Sequence, residues 1–219
     1  MGKEEQRIIV VHRNKLFGND YFEGFREHGE VDYASRINEH FEVMRRGSTD
    51  EPAEYPDGNA ELDFMYKQPI SYLIVVNPYL KKILAYQRSS SDKNYTEKRL
   101  QGKWSWGFGG HIEPFDTKNG DMLRESALRE ISEELEFTAG PFEPKILGYV
   151  NYDSDSVGKV HFGILYLVPA IGTNMRPKDK EIETTRFLSM GELEELCNSP
   201  DVEVEGWSKI ALEPLRKLL

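Results

Sequence analysis

Residues 129–137 read REISEELEF, and four of the nine are glutamates. Their spacing decides the reading. In a helix, positions i, i+3 and i+4 share a face, so a helix over roughly 121–135 puts Glu130, Glu133 and Glu134 along one border. Leu123, Ala127, Leu128, Ile131 and Leu135 form its buried stripe. Two readings fit this pattern: a solvated acidic face, or a claw of hard oxygen ligands for a metal ion. Spacing does not choose between them. A second acid-rich helix pattern, GELEELC at 191–197, has the same look with nothing beside it that suggests a site.

The second feature lies about 20 residues upstream, in WSWGFGGHI (104–112), read as a Gly-rich strand ending at Gly109 and Gly110. Glycines let the backbone approach a ligand closely, and an uncommitted carbonyl can join carboxylates around a hard cation. Alone, the glycines also fit a bulge or a tight bend.

Working outward, residues 6–12 (QRIIVVH) read as a short strand. A helix is expected at 33–46, where apolar or aromatic residues fall at 33, 37, 41 and 44. Residues 47–60 are rich in Gly, Pro and Asp and read as a loop. ISYLIVVN and KKILAYQR form a hairpin around Asn77-Pro78. Residues 89–103 are a polar loop, and PKILGYVNYD, KVHFGILYLVPA and TTRFLS are three more strands. MGELEELC and GWSKIALEPLRKLL close the chain as helices. Strands outnumber helices without alternating with them, so the expected class is α/β with a mixed sheet flanked by helices. Residues 1–65 are expected to be an N-terminal elaboration packed on the same domain as 66–219.

The 219 residues suffice for one domain with a sizeable core. No apolar run approaches the ~20 residues of a membrane span, and the opening MGKEEQRIIVVHRN is unlike a basic signal-peptide start. The single cysteine, Cys197, has no internal partner, which suits a reducing cytoplasm. The net charge of −10 repels long nucleic acids. A phosphate-handling protein of this charge needs divalent cations or a few well-placed Arg and Lys side chains. No Gly-x4-Gly-Lys-Ser/Thr is present, and Ile112 stands where a dinucleotide fingerprint has its third glycine.

The glycine pair and the acids together resemble the box of the Nudix (MutT-like) hydrolases: Gly, five residues, Glu, seven residues, then Arg-Glu-apolar-x-Glu-Glu-x-Gly-apolar. GGHIEP opens it, and Arg129, Glu130, Ile131, Glu133, Glu134 and Phe137 fall at family positions. The box departs from the family in three places. FDTKN (115–119) reads as a five-residue insertion, Asp121 then stands for the first glutamate and faces Arg129, and Glu136 replaces the closing glycine. Without that glycine the helix is expected to end differently, toward Gly140.

The resemblance implies a Nudix-like α/β/α sandwich and metal-dependent hydrolysis of a diphosphate linkage in a nucleoside diphosphate derivative. It implies Mg²⁺ or Mn²⁺ held by Glu130, Glu133, Glu134 and the Gly109 carbonyl, with Arg129 orienting the acids. The general base is a box glutamate or a later acid, with Glu181 and Glu183 the first candidates and Asp153 and Asp155 weaker ones. Arg88, Arg99 and Lys103 are candidate substrate clamps. Trp104, Trp106 and Tyr152 are either core or platforms for a base. His111 and His161 lack metal-ligand spacing and read as structural or polar lining. Two other functions stay open: a Nudix-like sensor that binds a nucleotide without cleaving it, and a prenyl diphosphate isomerase, which needs a cysteine at the site. Residues 1–65 are expected to cover the sheet, shape the pocket or form the arm of a homodimer.

Overall fold

The computed structural model describes residues 2–89, 100–137, 143–172, 175–178 and 182–219. Its organising strand is β4 (Tyr66–Asn77), whose residues after Tyr66 are all buried. Along one edge it pairs in parallel with β9 (His161–Pro169), from Gln68↔His161 to Val76↔Pro169. Along the other edge it meets several partners in turn. β1 (Arg7–His12) pairs with Val11↔Lys67, His111 bridges Ile70, Phe108 bridges Leu73, and β5 (Lys82–Arg88) pairs at Val76↔Ile83. The turn between β4 and β5 is closed by Asn77 Oδ1, which accepts from the amides of Tyr79 and Leu80.

The remaining strands extend this sheet. β2 (Gly24–Glu27) and β8 (Lys145–Asn151) continue it beyond β9, and β11 (Ile182–Leu188) continues it beyond β5. β3 (Phe41–Arg45) pairs with β1, and the two-residue β6 (Trp104–Ser105) with β5. The β4–β9 pair is parallel and the others are antiparallel, so the sheet is mixed.

Strand alternation sorts the core into two layers. Leu73 and Val75 of β4, with Phe162, Ile164, Tyr166 and Val168 of β9, face one side. There they pack on Leu123, Ala127 and Ile131 of α3 (Met122–Glu134), and on Leu16 and Ile37 from α1 (Arg13–Phe17) and α2 (Tyr33–His40). Tyr72, Ile74 and Val76 face the other side. They pack on Leu193 of α4 (Met190–Asn198) and on Ala211, Leu212 and Leu215 of α5 (Gly206–Leu218). The result is the expected α/β/α sandwich. Trp104 and Trp106 belong to the α5-side core rather than to any exposed platform.

Two local expectations are corrected. The pattern at 33–46 is helical only to His40, and Phe41–Arg45 is β3. Phe41-Glu42-Val43 has two strand-favouring residues, and the register Ile8↔Met44 and Ile9↔Val43 against β1 overrides the helical period. α3 does not run on toward Gly140, whose own structure lies outside the described residues. It ends at Glu134, and Leu135–Phe137 becomes β7, paired with β10 (Met175–Pro177). Leu135 leaves the helix in extended conformation, φ −127° and ψ 140°. No left-handed residue is required there, which accounts for a glutamate in place of the closing glycine.

Candidate active site

Segment 107–111 runs beside β4 in the gap between β1 and β5. The Phe108 carbonyl accepts from Leu73 N and the Gly110 carbonyl from Ser71 N. Between them the Gly109 carbonyl accepts no hydrogen bond among the described residues. Gly109 sits at φ +122°, and a Cβ there would collide with the Ser71 carbonyl, so glycine is obligatory. At Gly110 a Cβ would stand 3.0 Å from the Glu130 carboxylate. Glycine therefore opens the space into which that acid points.

Arg129 organises the carboxylates around it. Its Nε and Nη2 donate to the two oxygens of Asp116 at 3.0 and 2.9 Å, Nη2 also donates to the His111 carbonyl at 2.9 Å, and Nη1 donates to Glu130 at 2.5 Å and to Glu133 at 3.2 Å. The fork–fork geometry with Asp116 is the directional, charge-assisted kind. The Phe115 ring lies under the guanidinium, 5.2 Å from its carbon.

This corrects the partner expected for Arg129. The partner of Arg129 is Asp116, not Asp121, which is the N-cap of α3 and accepts from Arg124 N. Counted from Gly110, Asp116 follows five residues, so a register that begins at the glycine puts the extra residues after Asp116. Residues Pro114–Asn119 form a 3-10 turn in which Asp116 and Glu113 cap each other. Counting forward from the glycine would have found Asp116, whereas counting back from Arg129 gave Asp121.

Glu130 is buried, with a side chain 8% exposed. Burial pushes its carboxyl up to about 7, Arg129 opposing and Glu133 and Glu134 adding to the rise. Glu133 is exposed and Glu134 half-buried. The control helix behaves as an ordinary surface element: on α4, Glu192 caps its own N-terminus with Ser189 and Glu194 pairs with Arg216.

These groups line a cleft of about 1120 Å³. Arg88 enters it, its Nε donating to Glu205 at 2.6 Å. Lys103 lies outside the lining and reaches Glu203 at 3.8 Å. Glu183 is exposed on β11, away from the cleft, while Glu181 and Arg99 lie outside the described residues. Asp155 lines the cleft but accepts from Gly158 N at 2.7 Å. Asp153 is tied to Arg13 and Lys67. Cys197 is on α4, outside the cleft, with its thiol pushed up by burial. Tyr152 packs near Gly206 and is not part of the lining.

Sequence reasoning missed several lining residues. Trp207 lines the cleft, edge-on to Tyr72 at 5.4 Å, its place kept by the absence of a side chain at Gly163. Lys3, Arg7 and Arg46 bring cations from the N-terminal segment into the lining of the same cleft. No sequence motif marks these residues, because only the pairing of β1 with β4 carries them there. His111 and His161, read as lining, meet at the wall with their Nε2 atoms 3.3 Å apart. Burial holds the His111 imidazole well below its usual range, with Arg46 and neighbouring cations adding to the effect.

Comparison with known proteins agrees with this architecture. The NUDIX domain family model matches residues 67–205. The chain is 30% identical over 227 residues to Protein YmaB of Bacillus subtilis (strain 168), covering 98% of this chain and 100% of that one. The crystal structure of Tm1382 superposes with a TM-score of 0.73 at 24% identity, covering 98% of this chain and 100% of the other. The MutT protein from Methanosarcina mazei Go1 gives 0.47 at 19% identity, over 69% of this chain and 92% of its own. The chain belongs to the Nudix family. It is a pyrophosphohydrolase of the Nudix type. The matches to YmaB and Tm1382 run through the N-terminal segment as well as the family core. Among the described residues, no helix is long and apolar enough to cross a membrane.

Proposed function

We infer that the cleft hydrolyses the diphosphate linkage of a nucleoside diphosphate derivative with divalent ions, Mg²⁺ or Mn²⁺, held by Glu130, Glu133, Glu134 and the Gly109 carbonyl. The observation that carries this reading is the buried Glu130 carboxylate, aimed at the space left by Gly110 and fixed by Arg129 beside a carbonyl the sheet does not use. This donor set is all oxygen, which suits a hard cation. Bound there, the ion supplies charge neutralisation on the diphosphate and lowers the pKa of an attacking water.

The chain's own residues do the rest. Arg129 keeps Glu130 and Glu133 at one end of the cleft and, through the His111 carbonyl, fixes the loop that follows the glycines. Arg88, with Lys3 and Arg46 of the same lining, supplies positive charge for the phosphates. Trp207 offers an aromatic edge at the wall for a base or sugar. Among the described acids, Asp155 is engaged by a backbone amide, Glu205 by Arg88, and Glu183 lies outside the cleft lining, which favours a box glutamate for proton removal from water. Residues 1–65 belong, on this reading, to the same folding unit as the catalytic part and shape its substrate pocket.

The test is Glu134→Gln assayed against a panel of nucleoside diphosphate derivatives with Mg²⁺ or Mn²⁺. We expect hydrolysis to fall by at least a hundredfold with the circular dichroism spectrum unchanged. Full activity in the variant refutes the metal assignment. Binding without turnover by the wild type across the panel establishes the sensor function instead.

A further inference from the structure

We propose that Glu61, His111 and His161 form a second metal site, separate from the box glutamates and selective for Zn²⁺-type ions. Among the described residues these three side chains are the one group whose ligand atoms converge, all within 4.8 Å of one another and all buried. Glu61 precedes β4, His111 follows Gly110, and His161 opens β9. They come together because β4 is hydrogen-bonded on both sides: Gln68 sits opposite His161, and Ile70 opposite His111.

The geometry of the imidazoles fits an ion between them. Zn–N bonds of about 2.0–2.1 Å at a tetrahedral angle place two nitrogens about 3.3–3.4 Å apart. The His111 and His161 Nε2 atoms stand 3.3 Å apart. His161 Nδ1 lies 2.6 Å from the Val157 carbonyl, which can only accept, so Nδ1 carries the proton of the neutral ring. The lone pair is thereby placed on Nε2, facing His111. A ligating histidine whose other nitrogen donates to a backbone carbonyl is the usual supporting arrangement around a metal. Glu61 is steadied in turn by Arg46, whose Nε donates to Oε1 at 3.3 Å.

One proton must move for the ion to enter. Gln68 Nε2 donates to the Ala60 carbonyl, which turns Gln68 Oε1 toward His111 Nε2 at 2.7 Å. In the metal-free chain, His111 Nε2 therefore carries hydrogen and donates it. On binding, that proton is exchanged to Nδ1 through solvent, the ring stays neutral, and Nε2 gives its lone pair to the ion. Gln68 Oε1 is then left beside the ion as an oxygen donor.

Donor chemistry sets the selectivity. Two imidazoles and one carboxylate favour Zn²⁺ over Mg²⁺, whereas the box offers oxygen alone. The cations Arg46 and Arg129 oppose any added charge, so nitrogen ligation must supply the affinity. The bound ion would staple the segment before β4 to the loop after Gly110 and to β9, stiffening the cleft wall next to the Gly109 carbonyl.

The experiment uses the full chain, stripped with a chelator and titrated with Zn²⁺ in excess Mg²⁺, with Co²⁺ as the spectroscopic probe. We expect one equivalent of Zn²⁺ per chain, a Co²⁺ spectrum of tetrahedral intensity, and a higher melting temperature with Zn²⁺. His161→Gln should weaken Zn²⁺ binding at least tenfold, while the Glu133→Gln/Glu134→Gln double variant keeps it. Substoichiometric Zn²⁺, a weak octahedral Co²⁺ spectrum, or loss of Zn²⁺ in the glutamine double variant overturns the proposal. Should His161→Gln fail to fold, the wild-type Co²⁺ spectrum decides alone.

Discussion

Replacing Glu130 by glutamine should stabilise the metal-free fold while destroying activity. The buried carboxyl titrates near 7 instead of its ordinary 4.5 because burial disfavours the charged form. Between those two pH values the unfolded chain gives up this proton while the folded chain keeps it. The carboxyl's contribution to stability is therefore lost as pH rises through that window, and the loss is complete by about pH 8. At about 1.4 kcal/mol per pH unit, the cost at pH 8 is roughly 3 kcal/mol. Glutamine occupies the same volume, keeps an oxygen for Arg129 and carries no charge. Urea unfolding in the presence of EDTA, at pH 4.5 and at pH 8, measures the difference. The wild type should lose roughly 3 kcal/mol more than Glu130→Gln between the two conditions. Parallel pH profiles, or a variant less stable than wild type at pH 8, would refute the reasoning. The same protein in saturating Mg²⁺ should show a smaller gap, because an ion bound to native Glu130 restores the charged form.

Four further outcomes follow from single contacts. Asp116→Ala removes the buried partner of Arg129 and should cost roughly 3 kcal/mol by thermal unfolding and most of kcat. Asp121→Ala removes only a helix cap, should cost about 1 kcal/mol, and should leave kcat within a few-fold; equal effects would restore Asp121 as the first box acid. Gly109→Ala should destabilise by at least ~2 kcal/mol, since a side chain there meets both a positive φ and the Ser71 carbonyl; a neutral result by differential scanning calorimetry contradicts the described backbone. Lys67 is buried beside Asp153, and burial lowers its amine from 10.5 to about 8. Between those values the unfolded chain binds the proton and the folded chain has released it, so stability should rise with pH there. Lys67→Met should abolish that rise in denaturant titrations.

The helix acids, the glycine pair, the β4–β5 hairpin and the closing helices were all legible in the chain, because each rests on local spacing. A period of 3.6 placed Glu130, Glu133 and Glu134 on one border, and strand patterns of β-branched and aromatic residues marked β4, β5 and β9. Phe41–Arg45 is ambiguous in the sequence because its apolar positions satisfy a helical period as well, and only the pairing with β1 decides between the two.

The loop after Gly110 shows where local reading stops. Two aspartates stand five positions apart, and either restores a box register depending on the end from which one counts. The tertiary structure chooses Asp116, since a 3-10 turn presents its buried carboxylate to both ends of the Arg129 fork. The cleft's N-terminal cations and its histidines were equally hidden. Lys3 and Arg46 reach the cleft through the pairing of β1 with β4, and Glu61, His111 and His161 meet across separations of 50 to 100 residues. The sequence by itself determined which residues can supply oxygen ligands and which helix carries them, because that chemistry is written at i, i+3 and i+4. The tertiary structure decided which acid Arg129 holds, which cations face the phosphates and where the histidines meet, because strand pairing joins residues whose order along the chain says nothing of their distance.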